Sequence, residues 1–353
     1  MKKTLVLALF FITAFSFAQT IEIGVKNSIR STSLNEDREY WVYLPENYGN
    51  EHYADQHYPV IYVLDGEKYF HVISGMVKNL SDGYYPLIPE CIVVAIKNTN
   101  RSRDLTPTVD DSLSYETGGA NAFEAFIAKE LIPEINTRYR TLDYKVLVGH
   151  SFGGLFTMNT LVGNTALFNA YIVIDPSLWW DDKRYIKELD HHLKSIDFEK
   201  RSLFFADANS IGNQKKPSPQ HYDHFEAKKM AIEKMTLNPP KNLSLNMAPY
   251  ENEDHGSVVL PAFIDGLRYI FEGYRIDVKE LMKKPGLLQG HYKLFSDRIG
   301  FDFIPQSTYI DRVVDLLVKR GDTTKSKLLH QINIELHPGN SYLKHKDPFT
   351  KKE

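Results

Sequence analysis

Residues 145–154 constrain this chain more than any other stretch. The run Val146-Leu147-Val148 has the length and branching of a buried strand, and Leu155, Phe156, Met158 and Leu161 then recur as the first turns of a helix. Between them lies Gly149-His150-Ser151-Phe152-Gly153, a G-x-S-x-G turn. A strand that reverses into a helix through one serine needs small neighbours. Gly149 and Gly153 are therefore expected to leave room for a strained turn and close strand–helix approach. The Ser151 hydroxyl then stands clear of the backbone, and the free N–H of Phe152 faces any oxyanion formed beside it. Ser151 is the candidate nucleophile; a glycine-rich turn without chemistry is the plain alternative.

The rest of the chain supplies the architecture such a turn requires. Arg38 to Pro45 alternates as an early antiparallel strand would, and Tyr58 to Gly66 reads as a central strand. Cys91–Ile96, Ala170–Asp175, Ser202–Asp207 and Leu243–Ala248 continue the series. Helical spacing appears at Phe123, Phe126, Ile127, Leu131 and Ile135, where Pro133 should kink the helix, and again near 183–195 and 221–236. Residues 98–119 carry no periodicity and read as a long loop. Alternating strands and helices imply an α/β fold with a mainly parallel sheet covered on both faces. Sites in such sheets lie at the carboxyl ends of the strands, where Asp65, Gly66, Ser151, Asp175, Asp207 and the His255 loop all fall. From about Tyr274 helices follow without strands, including one amphipathic hairpin around Arg320-Gly321-Asp322.

The chain ends add an address. Lys2 and Lys3 precede an apolar run from Leu5 to Phe17, with Ser16 and Ala18 before Gln19, the pattern of a secretory signal peptide cut after Ala18. The run is too short to span a bilayer comfortably, so a periplasmic or secreted mature protein without a membrane span is expected. The division expected is 1–18 signal peptide, 19–273 α/β domain carrying the serine elbow and 274–353 helical extension. A net charge of −3 without a Lys/Arg cluster argues against nucleic acid as partner. The one cysteine, Cys91, sits in an apolar run and reads as a core residue.

A serine hydroxyl needs an imidazole to take its proton and a carboxylate to orient that imidazole. With Ser151 on an elbow, the chain order should be Ser, acid, His. His255 follows the last strand in a loop before a helix near Val258, and is the candidate base. Asp207 ends its strand where this fold places the acid and is the first candidate; Asp175, Glu226, Glu253 and Asp254 remain in reach. The second oxyanion donor should be the N–H of Gly66 or Glu67, with the Glu67 side chain idle. Arg101 and Arg103 could hold an anionic substrate group or form structural ion pairs. Trp179 and Trp180 could wall a substrate ring or fill the core. His221-Tyr222-Asp223-His224 could be drawn as metal ligands, but polar helix surface is the reading without a third ligand, and no metal or other cofactor is expected.

Gly149-His150-Ser151-Phe152-Gly153-Gly154-Leu155 with Asp175-Pro176-Ser177-Leu178-Trp179-Trp180-Asp181-Asp182 resembles the putative-esterase family of α/β-hydrolases. That family includes siderophore, feruloyl and acetyl-xylan esterases and S-formylglutathione hydrolases. The resemblance extends through Arg103-Asp104-Leu105-Thr106-Pro107 and Asp254-His255-Gly256-Ser257, over most of residues 30–273. Two runs, Ser-Leu-Trp-Trp-Asp and Arg-Asp-Leu-Thr-Pro, look closest to the siderophore-esterase branch, and the tail resembles a tetratricopeptide-like extension. The resemblance implies Ser151 as nucleophile and His255 as base. It departs after 202–207, where many relatives carry Gly-Glu and this chain has Ala206-Asp207-Ala208-Asn209. The implied activity is cleavage of a siderophore-type ester, or alternatively of an acetyl or hydroxycinnamoyl ester on polysaccharide. A hydrolase-fold binding protein whose helical tail docks a protein partner is the reading from another class.

Overall fold

The computed structural model describes residues 20–212 and 216–346. Its strands are β1 (Val25–Ser31), β2 (Glu36–Tyr43), β3 (Tyr58–Val63), β4 (Ile92–Ile96), β5 (Thr141–His150), β6 (Ala170–Ile174), β7 (Ser202–Ala208) and β8 (Ser244–Tyr250). They form one sheet in the order β1-β2-β4-β3-β5-β6-β7-β8. β1 and β2 pair antiparallel with each other, and β2 with β4; every pairing beyond β4 is parallel. This is the α/β-hydrolase sheet expected, with β5, the strand that carries the elbow, in its centre. The proposed signal peptide lies outside the described residues.

Strand alternation divides the core in two. Val146 and Val148 of β5 join one apolar cluster, and Leu147 between them joins the other. The first cluster takes α1 (Gly66–Ser81), which the spacing did not reveal, and later helices from the second half of the chain. The second takes α3 (Ala120–Phe126), α4 (Ile132–Arg138), α5 (Phe152–Gly163) and α6 (Trp180–Ser195), after the five-residue α2 (Arg101–Leu105) in what reads in sequence as open loop. α3 and α4 are joined by a widened turn at Ile127–Leu131, just before Pro133, which is where the proline was expected to disturb the helix. Two further helices, α7 (Pro219–Leu237) and α8 (Val259–Ile270), flank β8 in sequence and cover opposite faces.

The tail comprises α9 (Val278–Lys283), α10 (Leu287–Ile299), α11 (Ser307–Lys319), α12 (Thr323–Leu336) and α13 (Ser341–His345). It does not hang free: Tyr274, Tyr292, Phe295 and Phe303 are buried in the same cluster as α1, α8 and the sheet. Tyr144 of β5 touches the rings of Phe271, Phe301 and Phe303 at 5.1–5.8 Å. Gln306 makes two bonds with the backbone of Glu90, at 2.9 and 3.0 Å, and Tyr53 donates to Asp311 at 2.8 Å. Gln56 and Glu90 stand just before β3 and β4, so the tail grips the amino ends of the strands, opposite to the elbow. No helix among the described residues is long and apolar enough to cross a membrane. Cys91 is fully buried, and burial pushes its thiol well up, as a core residue should behave.

Candidate active site

β5 ends at His150, and Ser151 takes φ +61° and ψ −119° before α5 begins at Phe152. A non-glycine residue held there is strained, and the neighbouring backbone must hold it. Gly149 makes that possible: a Cβ on it would stand 2.1 Å from the Gly153 carbonyl oxygen. Gly153, expected to be equally cramped, has ordinary space around it, its nearest neighbour being Leu64 at 3.5 Å. The turn is pinned by Ser151 N–H to the Ile174 carbonyl (3.1 Å) and by Ser177 N–H to the Ser151 carbonyl (3.0 Å).

Ser151 opens on a cavity of about 390 Å³ that His255, Phe152, Trp179 and Arg101 also line. Its Oγ lies 3.2 Å from Ser177 Oγ. His255 Nδ1 meets Asp175 Oδ2 at 2.6 Å, which leaves Nε2 as the ring's free nitrogen. Hydrogen bonds of a catalytic pair commonly tighten only around substrate. The base loop is shaped by Asp254, whose Oδ1 accepts the N–H groups of Gly256 (2.8 Å) and Ser257 (2.9 Å). Those backbone bonds hold the Asp254 carboxyl below the usual range, and they commit it to the loop. Behind the loop, His150 Nε2 donates to the His255 carbonyl at 2.8 Å, and Tyr69 O–H reaches His150 Nδ1 at 3.1 Å. Burial lowers His150 to about 4, so it stays neutral and ties elbow to base loop.

The carboxylate on His255 corrects the sequence expectation. Asp207 lies inside β7, is about one-quarter exposed, and its carboxylate pairs with Lys228 Nζ at 2.7 Å. Asp175 leaves β6 through a left-handed turn (φ +42°), is fully buried, and turns its side chain under the His255 loop. The carboxylate that meets His255 thus comes from the end of β6, one strand away from Asp207. The alternative Glu226 is an exposed residue of α7.

The chain matches the family model described as "Putative esterase" over residues 31–230, more than half its length. It belongs to the putative-esterase family. It is accordingly a carboxylic ester hydrolase. Among curated relatives it is 23% identical over 252 residues to a siderophore enterobactin esterase of Emericella nidulans, covering 60% of this chain and 81% of the relative. It is 33% identical over 181 residues to the ferri-bacillibactin esterase BesA of Bacillus subtilis, covering 45% and 61%. A solved structure described as an IroE-like serine hydrolase from Shewanella oneidensis is 33% identical. It superposes with a TM-score of 0.79 over 88% of this chain and 99% of that one.

Within this esterase the other expected residues divide. Phe152 heads α5 and Gly66 and Glu67 head α1, so their N–H groups are among those a helix leaves without an internal acceptor. Gly66 is required there, since a Cβ would stand 2.6 Å from the Ala95 carbonyl carbon. The Glu67 carboxylate turns away to accept the backbone and side-chain N–H groups of Asn98 at 3.1 and 3.0 Å. Glu67→Ala is therefore expected to change kcat/KM by less than about threefold, since the two bonds to Asn98 that are lost are both exposed. A loss above about a hundredfold with intact folding would assign the side chain itself to the reaction.

Arg101 reaches the cavity but is already held: Nε and NH2 grip both oxygens of Asp65 at 2.6 and 2.9 Å, and its guanidinium lies 5.6 Å from the Phe152 ring. Arg103 is not at the site. It pairs with Glu36 and Asp104, beside the buried Arg38–Asp104 pair at 2.6 Å, which makes it structural. Trp179 lines the cavity, whereas Trp180 is buried and donates to Thr108 Oγ1 at 2.9 Å.

Two residues at the site escaped sequence reasoning. His224, taken as polar surface, is buried and its Nε2 meets Asp175 Oδ2 at 2.9 Å. Lys228, fully buried, pairs with Asp175 Oδ1 and also bonds the Ala208 carbonyl (2.7 Å) and Ser210 Oγ (2.9 Å). A signal did exist. His224, Ala227, Lys228, Ala231 and Met235 are the buried stripe of α7, and a lysine inside an apolar helical stripe requires a buried counter-charge. Asp175, His224 and His255 offer ligand atoms within 4.8 Å of one another. Here both imidazoles meet the carboxylate, and the Lys228 ammonium lies on its other oxygen.

Proposed function

We propose that this esterase cleaves its substrate through an acyl-Ser151 intermediate, with His255 as base and Asp175 as the acid that orients it. The observation that carries this reading is the 2.6 Å contact between His255 Nδ1 and buried Asp175, at the rim of the cavity on which strained Ser151 opens. Ser151 Oγ attacks the ester carbonyl carbon while its proton passes to His255 Nε2. The oxyanion is met by the Phe152 N–H and by the start of α1. Collapse breaks the carbon–oxygen bond, and His255 returns the proton to the departing alcohol. A water, deprotonated by the same imidazole, then attacks the acyl carbon, and the second collapse frees the carboxylic acid and Ser151. No step calls on a cofactor.

The substrate class we favour is a catecholate-siderophore ester. Two of the relatives above are named as siderophore esterases. The cavity has aromatic walls from Phe152 and Trp179, which suit a ring-bearing acyl group. Action in the periplasm or outside the cell follows from the signal-like residues 1–18. The test is hydrolysis of a tricatecholate trilactone beside feruloyl and acetyl-xylan esters, followed by chromatography. The trilactone is expected to show kcat/KM at least about tenfold above either ester, equal to about 1.4 kcal/mol of selective transition-state binding. Preference for a feruloyl or acetyl ester would move the enzyme to the polysaccharide branch.

A further inference from the structure

Asp175 is an unusual acid for a catalytic histidine because it is crowded. His255 Nδ1 and His224 Nε2 both meet Oδ2, while Oδ1 takes Lys228 Nζ and the Ala208 N–H, the latter at 3.0 Å. Burial alone would raise its pKa; the bonds from His224 and His255 and the charge of Lys228 more than offset that and hold it well below the usual carboxylate range. His224 is itself lowered by burial, so its imidazole is neutral and donates from Nε2.

The geometry points to Lys228 as a positioning residue that sets the pH at which this esterase acquires its base. A bare buried carboxylate beside a histidine stabilises the imidazolium and keeps the base protonated to higher pH. Lys228 places a positive charge on the far oxygen of that carboxylate and withdraws part of this stabilisation. Asp207, on the other side of the ammonium, withdraws part of the lysine's effect in turn. The cluster therefore carries one net negative charge from Asp175, Lys228 and Asp207. Around His255 also stand its own loop's Asp254, His224 from α7 with its ring 5.1 Å away, neutral His150 from β5 at 4.5 Å, and Arg101, Tyr115 and His221, which line the same cavity. His224, one turn before Lys228 on α7, fixes the direction of Oδ2. The helix thus grips both oxygens of the acid, leaving Oδ2 in line with the base.

This inference rests on the serine-hydrolase reading above, and two charge changes of opposite sign test it. In Lys228→Met the acid limb of kcat/KM on p-nitrophenyl butyrate is expected to move up by about one pH unit. In Asp207→Asn it should move down by roughly half a unit, the smaller size reflecting partial exposure. Lys228→Arg, which keeps the charge, should restore the wild-type limb. A merely structural lysine would lower kcat or the unfolding midpoint and leave the limb where it is. If Lys228→Met does not fold, Asp207→Asn decides, since it removes only a partly exposed charge. A limb unmoved, within about 0.2 unit, in either folded variant overturns the assignment. Ser151→Ala run alongside separates the two ideas: residual wild-type turnover would sink the serine mechanism, whereas a dead Ser151→Ala with unmoved limbs sinks only the role of Lys228.

Discussion

Ser151→Ala is expected to lose ester hydrolysis by about 10⁴-fold or more in kcat/KM, while folding as the wild type does. The loss is large because every later step acts on the acyl-serine: without Oγ, the oxyanion donors and His255 can at most orient a water. The fold should not suffer. The Ser151 hydroxyl touches only Ser177 Oγ among the hydrogen bonds of the described residues, and that contact is partly open to solvent. The backbone at φ +61° is held by Gly149 and by the bonds to Ile174 and Ser177, none of which involves the side chain. The measurement is turnover of p-nitrophenyl acetate and butyrate beside a urea melt of both proteins. Equal turnover in mutant and wild type would remove Ser151 from the mechanism, and the hydrolase-fold binding protein would become the better account.

Asp175→Asn carries the second large effect, a fall in kcat of about 10³–10⁴-fold. An amide has one accepting oxygen, so its NH2 must face either the two imidazoles at Oδ2 or the Lys228 ammonium and the Ala208 N–H at Oδ1, and the buried ammonium claims the oxygen. His255 then loses the partner that fixes its tautomer with Nε2 free for the Ser151 proton. Lys228 retains Asp207, the Ala208 carbonyl and Ser210, so its charge stays compensated and the core should survive. Asp207→Asn is the matched comparison. Although Asp207 occupies the position expected of the acid, its replacement should leave plateau kcat within about threefold, since its carboxylate touches Lys228 and not His255. The reverse outcome, a collapse in Asp207→Asn with Asp175→Asn near wild type, would return the acid to β7.

The tail bears on the same question from the other end of the sheet. Its polar contacts to Gln56, Glu90 and Tyr53 lie at the amino ends of β3 and β4, and among the described residues it lends nothing to the cavity wall. Its aromatic residues nevertheless fill the core beneath β5, so it bears on the catalytic unit through stability.

Much of this protein was legible before any coordinates. The apolar run into Gly-His-Ser-Phe-Gly determined a strand, a strained serine and a helix, because period-2 and period-3.6 patterns and a glycine that no Cβ can replace are local properties. Chain order named His255, and the hairpin at 307–336 followed from helical spacing. Residues whose role depends on which side chain meets which across the sheet were not legible. Asp175 and Asp207 end neighbouring parallel strands, and nothing local distinguishes them. The lysine descending from α7 lies between the two carboxylates and pairs with both, whereas the left-handed turn after β6 carries only the Asp175 side chain to His255. Arg103 follows the ion-pair alternative that the sequence left open, with Asp104 beside it in the chain and with Glu36 from distant β2. His224 and Lys228 acquired their importance only when α7 folded onto β6 and β7. The sequence determines which residues can do chemistry; long-range packing, by removing water from one carboxylate and supplying it with partners, determines which of them meet.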